Sequence, residues 1–169
     1  LSDPLINEAF TYYEREILPF KNDDMINAKA MPGAHAALQA VQDAGLRCAL
    51  FTNPSFPQGA IECRMGWGDL ADAPFELVTH MGNATRCKPD ATYYLEQLQV
   101  MGLEPHEVLM VGNDPKRDFP SPDCGIQTAY VGQGKPSRAT WRGTMEDFAR
   151  NFNAVVEAFY EHQVAEELS

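Results

Sequence analysis

Apolar positions recur along this chain in two rhythms. Ile6, Ala9, Phe10, Tyr13 and Ile17 fall on one face of a helical period, which predicts an amphipathic helix near the N-terminus. Ser2 and Asp3 with Pro4 supply its start, and Pro19 its stop. Residues 21–27 are polar and read as a connector. Pro32-Gly33 opens a second helix, with Ala34, Ala37, Leu38 and Val41 on one face and Gly45 at its end. Residues 46–51 then form a short apolar run, the pattern of a buried strand. Asn53 and Pro54 have the residue types of a helix cap and first helical position, so a helix is expected directly after Thr52. Residues 66–74 read as a loop, and 75–79 as a short strand. Lys88-Pro89-Asp90 precedes a helix with Ala91, Tyr94, Leu95, Leu98 and Met101 on one face. Residues 108–111, closed by Gly112, and 128–131, closed by Gly132, are two further buried strands. A last helix follows Thr144, with Phe148, Phe152, Val155 and Phe159 inward and Thr144 and Asp147 as a capping-box pair.

Strands alternating with helices predict a mostly parallel sheet in a three-layer α/β/α, Rossmann-like core. Ligands in such sheets bind beyond the carboxyl ends of the strands. Thr52 and the Asn113-Asp114 pair both lie just past a strand's carboxyl end, so the pattern puts them on one edge.

Composition narrows the partners. A chain of 169 residues, 44% hydrophobic and 22% charged, is of ordinary globular make-up. Its net charge of -11 argues against nucleic acid or an anionic membrane surface as the main partner. It leaves room for a phosphorylated small molecule, since a bound cation can reverse the local field. Cys48, Cys63, Cys87 and Cys124 form no CxxC pair and no zinc spacing, which reads as a reducing, cytoplasmic setting. No stretch reaches the roughly 20 apolar residues of a membrane span. The oligomeric state is not legible.

Three groups carry candidate chemistry: Thr52-Asn53, Lys88, and Asp114 with Asp118. Each alone is an ordinary turn or solvated side chain. Together they are the types that phosphoryl transfer to a carboxylate requires. A hydroxyl and backbone amides bind phosphoryl oxygens, a lysine neutralises phosphate and nucleophile, and carboxylates hold magnesium. In this order they resemble the haloacid dehalogenase superfamily. Leu50-Phe51-Thr52-Asn53 resembles its second motif, Cys87-Lys88-Pro89-Asp90 its third, and the run from Met110 through Gly112-Asn113-Asp114 to Asp118 its fourth. The likeness covers roughly residues 31–131.

The resemblance implies a magnesium-dependent hydrolase that acts on a small phosphorylated metabolite through an aspartyl phosphate. Thr52 and the Asn53 amide would bind the phosphoryl group, and Lys88 would pair with phosphate and nucleophile. Asp114 would ligate Mg2+, with Asp118 completing or orienting that shell; Asn113 competes with Asp114 for the metal-facing position. Pro120 and Pro122 imply that the helix usual after the fourth motif is short or distorted. The resemblance also divides the chain into residues 1–27, the end of a helical cap domain with its connector, and 28–169, the core.

One family feature is missing. The first motif, a strand ending in Asp-x-Asp that carries the nucleophile, has no counterpart here; Asp23-Asp24 lacks both the spacing and strand-like neighbours. In the family this strand lies between those ending at Thr52 and at Gly112. Without it two internal sheet edges go unpaired and the core splits. Each buried backbone group left unpaired costs on the order of 1–3 kcal/mol, against a total stability of roughly 5–15 kcal/mol. The expectation is an incomplete chain that binds better than it reacts, with another polypeptide or a repacked strand as the alternative. Competing readings are a non-catalytic relative or fragment, and a dehalogenase. The paired acidic fourth motif favours the metal-dependent phosphatase over the dehalogenase.

Overall fold

The structure, a computed structural model, describes residues 3–23, 26–134 and 138–167. Helix α1, Pro4–Tyr12, starts as its sequence predicts: the Asp3 side chain accepts from the Leu5 amide at 2.9 Å, and proline occupies the first turn. Ser2 lies outside the described residues. The chain continues as a π turn, Tyr13–Ile17, and a 3-10 turn, Leu18–Lys21. Pro19 therefore does not stop the helical path, because a proline at the start of a new turn has no partner to deprive. The apolar face of α1 forms but is not buried. Leu5 is 74% exposed and Phe10 52%. Trp67 tethers the end of this segment, its indole N–H donating to the Pro19 carbonyl at 3.3 Å. In the connector, the Asn22 side chain brackets Ala28, accepting from its amide and donating to its carbonyl.

Helix α2 is Ala34–Asp43, strand β1 Ala49–Leu50, and α3 Gln58–Trp67. Strand β2 is Leu77–Val78 and α4 is Ala91–Met101. Strands β3, β4 and β5 are Leu109–Gly112, Gln127–Val131 and Trp141–Gly143. Helices α5, Met145–Arg150, and α6, Phe152–Glu167, close the described chain. Several expectations need correction. The helix after Thr52 does not begin at Asn53-Pro54 but at Gln58, after Pro57, so a loop separates Thr52 from it. On α4, Leu95 points outward while Tyr93 and Gln97 are buried with Tyr94 and Leu98. The C-terminal helix is two helices with a break at Asn151, and β5 is a strand that its short, weakly apolar sequence did not reveal. Only two residues each of 46–51 and 75–79 are in a ladder. The segment after Asp118 carries only the 3-10 turn Pro122–Cys124, as its prolines imply.

All pairing is parallel, but the described strands form two sheets. One holds β1 and β2, with Ala49 opposite Leu77 and Leu50 opposite Val78. The other runs β3-β4-β5. Strand β3 shows the two-sided alternation of a sheet between helix layers. Its Leu109 and Val111 join a core with Ala37 of α2, Phe148 of α5 and Phe152 and Val155 of α6. Its Met110, with Val108 just before it, joins Tyr93, Tyr94 and Leu98 of α4 on the opposite face. Phe51, just past β1, packs on that same α4 cluster, so α4 backs both sheets. Every residue of β4 is buried, whereas Leu109, Met110 and Val111 of β3 are only half-buried. That is the signature of a strand with a partner on one side only. Among the described residues, no helix is long and apolar enough to cross a membrane.

Candidate active site

The site assembles at the carboxyl ends of β1 and β3, around the start of α4. Asp90 caps α4, accepting from the Thr92 amide at 2.8 Å, and so fixes the turn that carries Lys88. The Lys88 ammonium donates to Asp118 Oδ1 at 2.6 Å, in a setting that leaves the two side chains only 11% and 14% exposed. Asp118 Oδ2 accepts from the Asn113 amide at 3.2 Å and the Asp114 amide at 3.0 Å. The carboxylate thus ties the loop after β3 back on itself and docks Lys88 beneath it. Gly112 is required by this closeness, since a Cβ there would lie 2.5 Å from the Cβ of Asp118. Lysine has three N–H donors, so Lys88 keeps capacity for a further anion while holding Asp118.

Asp114 faces more to solvent. Its Oδ1 accepts from the Lys116 and Arg117 amides at 3.0 and 3.3 Å, and Oδ2 lies 3.6 Å from the Arg117 Nε. Asn113 is exposed. As magnesium ligands these residues fit only in part. Both Asp118 oxygens are engaged inside the protein, and Asp114 has lone pairs to offer. Magnesium takes six oxygens in near-octahedral array. Among the described residues no group of three or more His, Cys, Asp or Glu side chains could hold a metal ion.

Thr52 sits at the other half of the site. Its hydroxyl donates to the Thr79 carbonyl at 2.7 Å, and its amide donates to the Thr79 hydroxyl at 2.7 Å. The Tyr93 phenol donates to the Thr52 carbonyl at 2.6 Å. Burial, followed by smaller charge effects from Cys87 and Asp118, pushes the Tyr93 phenol up to about 12 against the pull of its Thr79 hydrogen bond. It is therefore a neutral donor at physiological pH. Burial likewise raises the Tyr94 phenol, which donates to the Asp118 carbonyl at 2.5 Å. Asn53 is exposed in the loop that follows, with Pro54 buried behind it.

The structure thus joins Lys88, Asp118, Asp114 and Asn113 in one hydrogen-bonded cluster. Thr52 and Asn53 lie on a separate loop, linked to that cluster through adjacent residues of α4. Sequence reading missed Thr79, Tyr93 and Tyr94. Tyrosines at a helix start count as apolar in a periodicity search, and their phenol partners lie 24 and 41 residues away in sequence. The one signal in the sequence was that Thr79 is a polar residue directly after the apolar pair Leu77-Val78.

Residues 4–122 match the family model of haloacid dehalogenase-like hydrolases. The chain is 28% identical over 120 residues to a phosphoglycolate phosphatase of Rhodospirillum rubrum, a match that covers 71% of this chain and 48% of that protein. It therefore spans about half the length of the curated relative it matches. Among solved structures it resembles a HAD phosphatase from Thermococcus onnurineus, with a TM-score of 0.61 at 20% identity, over 72% of this chain and 57% of that one. It also resembles a beta-phosphoglucomutase from Clostridium difficile, with a TM-score of 0.64 at 16% identity, over 94% of this chain and 66% of that one. At these identities the two structures speak to the fold alone.

Proposed function

The chain belongs to the haloacid dehalogenase-like hydrolases, and we propose that it forms the phosphate- and metal-side half of a phosphatase acting on a small phosphorylated metabolite. The observation that carries this reading is the mostly buried Lys88–Asp118 pair, set at the carboxyl ends of parallel strands and roofed by the Asn113 and Asp114 amides. Such a pair holds a cation at a fixed point while leaving it donors for a phosphoryl oxygen. Lys88 would neutralise the phosphate and the approaching carboxylate. Thr52 and the Asn53 amide would bind the phosphoryl oxygens. The Thr52 hydroxyl has one proton, now given to Thr79, so it accepts freely but donates to phosphate only by leaving that carbonyl.

The attacking aspartate is not among these residues, for the sequence contains no Asp-x-Asp. It would come from a strand seated between β1 and β3, whose facing edges have no partner among the described residues. Magnesium, when bound, would offset the charge on the phosphoryl group; Asp114 would hold it, with Asp118 orienting the loop and Asn113 beside it, and oxygens from elsewhere completing the shell. Residues 1–27 fit the end of a cap and its connector, since α1 buries none of its side chains, and 28–169 the core. Four free cysteines suit a reducing cytoplasm.

The test is hydrolysis of an aryl phosphate by a protein that joins this chain to a strand ending in Asp-x-Asp. Turnover is expected to require magnesium and to fall at least about 100-fold in Lys88→Met, the scale of losing one electrostatic contact in the transition state. The 169-residue chain alone is expected to bind inorganic phosphate without turnover. Activity that survives EDTA and Asp114→Asn would sink the metal assignment. Chloroacetate turnover in place of phosphatase activity would move the protein to the dehalogenases.

A further inference from the structure

Two adjacent side chains of α4 reach the two halves of the site. Tyr93 and Tyr94 are fully buried, and their rings meet edge to face at 5.1 Å. Phe51, at the end of β1, packs on both rings, at 5.9 and 6.4 Å. Tyr93 donates to the Thr52 carbonyl and Tyr94 to the Asp118 carbonyl. Consecutive residues on a helix point roughly 100° apart, so one turn of α4 serves both loops.

Three groups meet on the Tyr93 side: its phenol, the Thr79 hydroxyl and the Thr52 backbone. The Tyr93 phenol gives its proton to Thr52 O at 2.6 Å, so toward Thr79 it can only accept. The Thr79 hydroxyl lies 2.9 Å from the Tyr93 oxygen and 3.1 Å from the Thr52 carbonyl, so its single proton goes to one or the other. Thr79 in turn accepts from the Thr52 amide at 2.7 Å. Thr52 N–H donates to Thr79 Oγ1, Tyr93 O–H donates to Thr52 C=O, and Thr79 Oγ1 lies in reach of both Tyr93 Oη and Thr52 C=O, so the three residues close a ring. Both backbone polar groups of Thr52 are satisfied just beyond the point where the β1–β2 ladder ends. A ladder of two residues per strand does little to order the loop that follows it. The ring supplies that order.

The geometry points to Tyr93, Tyr94 and Thr79 as positioning residues: a brace on α4 that holds the Thr52 loop and the Asp118 loop in register across the facing edges of β1 and β3. This rests on the phosphate-site reading, but part of its test does not.

In the full chain, Thr79→Val and Tyr93→Phe are expected to speed hydrogen exchange at the Thr52 amide, and Tyr94→Phe at the Asn113 and Asp114 amides. Each effect should stay local to its own loop. Titration with inorganic phosphate, followed by NMR, should show affinity reduced about three- to tenfold in each variant, the scale of one lost hydrogen bond. Thr79→Ser should restore wild-type exchange and affinity. Leu98→Ala, in the same core but outside the ring, controls for stability. If Leu98→Ala, matched in melting temperature, weakens phosphate equally, the brace is overturned and the tyrosines are ordinary core. Unchanged exchange at Thr52 in Thr79→Val and Tyr93→Phe overturns it as well. If wild-type chain shows no phosphate-induced shifts at Thr52 and Asn53, the phosphate reading fails, and the exchange data alone still decide the brace.

Discussion

Asp118 accepts from one ammonium and two backbone amides, and Gly112 leaves it the space to do so. Removing it would strand a mostly buried Lys88 and orphan two N–H groups, whereas removing Lys88 would leave a carboxylate still held by those amides. Breaking one partner of a buried pair costs about 3–5 kcal/mol. We therefore expect Asp118→Ala to destabilise the chain by roughly 3 kcal/mol or more, and Lys88→Met by clearly less. Urea unfolding of the two variants checks the order; the reverse order would mean that the amides contribute little. The sequence showed Lys88, Asp114 and Asp118 by type and spacing. It could not show that Asp118 turns both oxygens inward while Asp114 faces out, because that depends on how the loop after β3 closes. The tyrosines were hidden for a different reason: only the fold brings a phenol to a carbonyl so distant in sequence.

Among the elements, the helices were easiest to place, since their signals are local. Thr144 and Asp147 form the expected reciprocal cap, with the Asp147 amide donating to the Thr144 hydroxyl at 3.0 Å and the Thr144 amide to Asp147 Oδ2 at 3.1 Å. The Pro32-Gly33 start of α2 holds for a further reason. Gly33 has φ +86° and presses on α5, where a Cβ would lie 2.6 Å from the Glu146 backbone nitrogen. Gly45, at the far end of α2, has φ +66°, but a Cβ there would meet nothing within 4 Å. Gly45→Ala should cost only the left-handed conformation, about 1 kcal/mol. Gly33→Ala should cost at least about 1 kcal/mol beyond that, because the Glu146 backbone cannot swing aside and α2 must shift against α5. Thermal melts of the pair check this, and equal losses would remove the close-packing account. Strands were less legible: an apolar run shows what can be buried, but ladder length depends on the neighbour. The misplaced start of α3 has a similar cause, for Asn53-Pro54 has the right chemistry for a cap but sits in a loop whose ends, Thr52 and Phe56, are tied to Thr79, Tyr93 and Met81.

At the scale of the molecule, the division of the sheet is the dominant feature, and it follows from one reading of the sequence. Strands ending at Thr52 and Gly112 that both await a neighbour between them should part into two groups, and the described strands do so. The consequence for stability is uneven. Strand β4 has a partner on each side, and all of it is buried. The β1–β2 pair has two residues per strand and only half-buried side chains. Two short strands do not hold together unaided in water, so this pair depends on α4 and on the Thr52–Thr79 bonds. Amide exchange should therefore be slowest at Ala129 and Tyr130 and at least about 100-fold faster at Val78 and Thr79, a gap of about 2.7 kcal/mol in local opening. A strand that seats between β1 and β3 should close most of that gap, because it would give both sheets a common ladder and make their opening a single event. Equal protection of the two sheets without such a strand would show that α4 and its tyrosines already couple them into one cooperative unit.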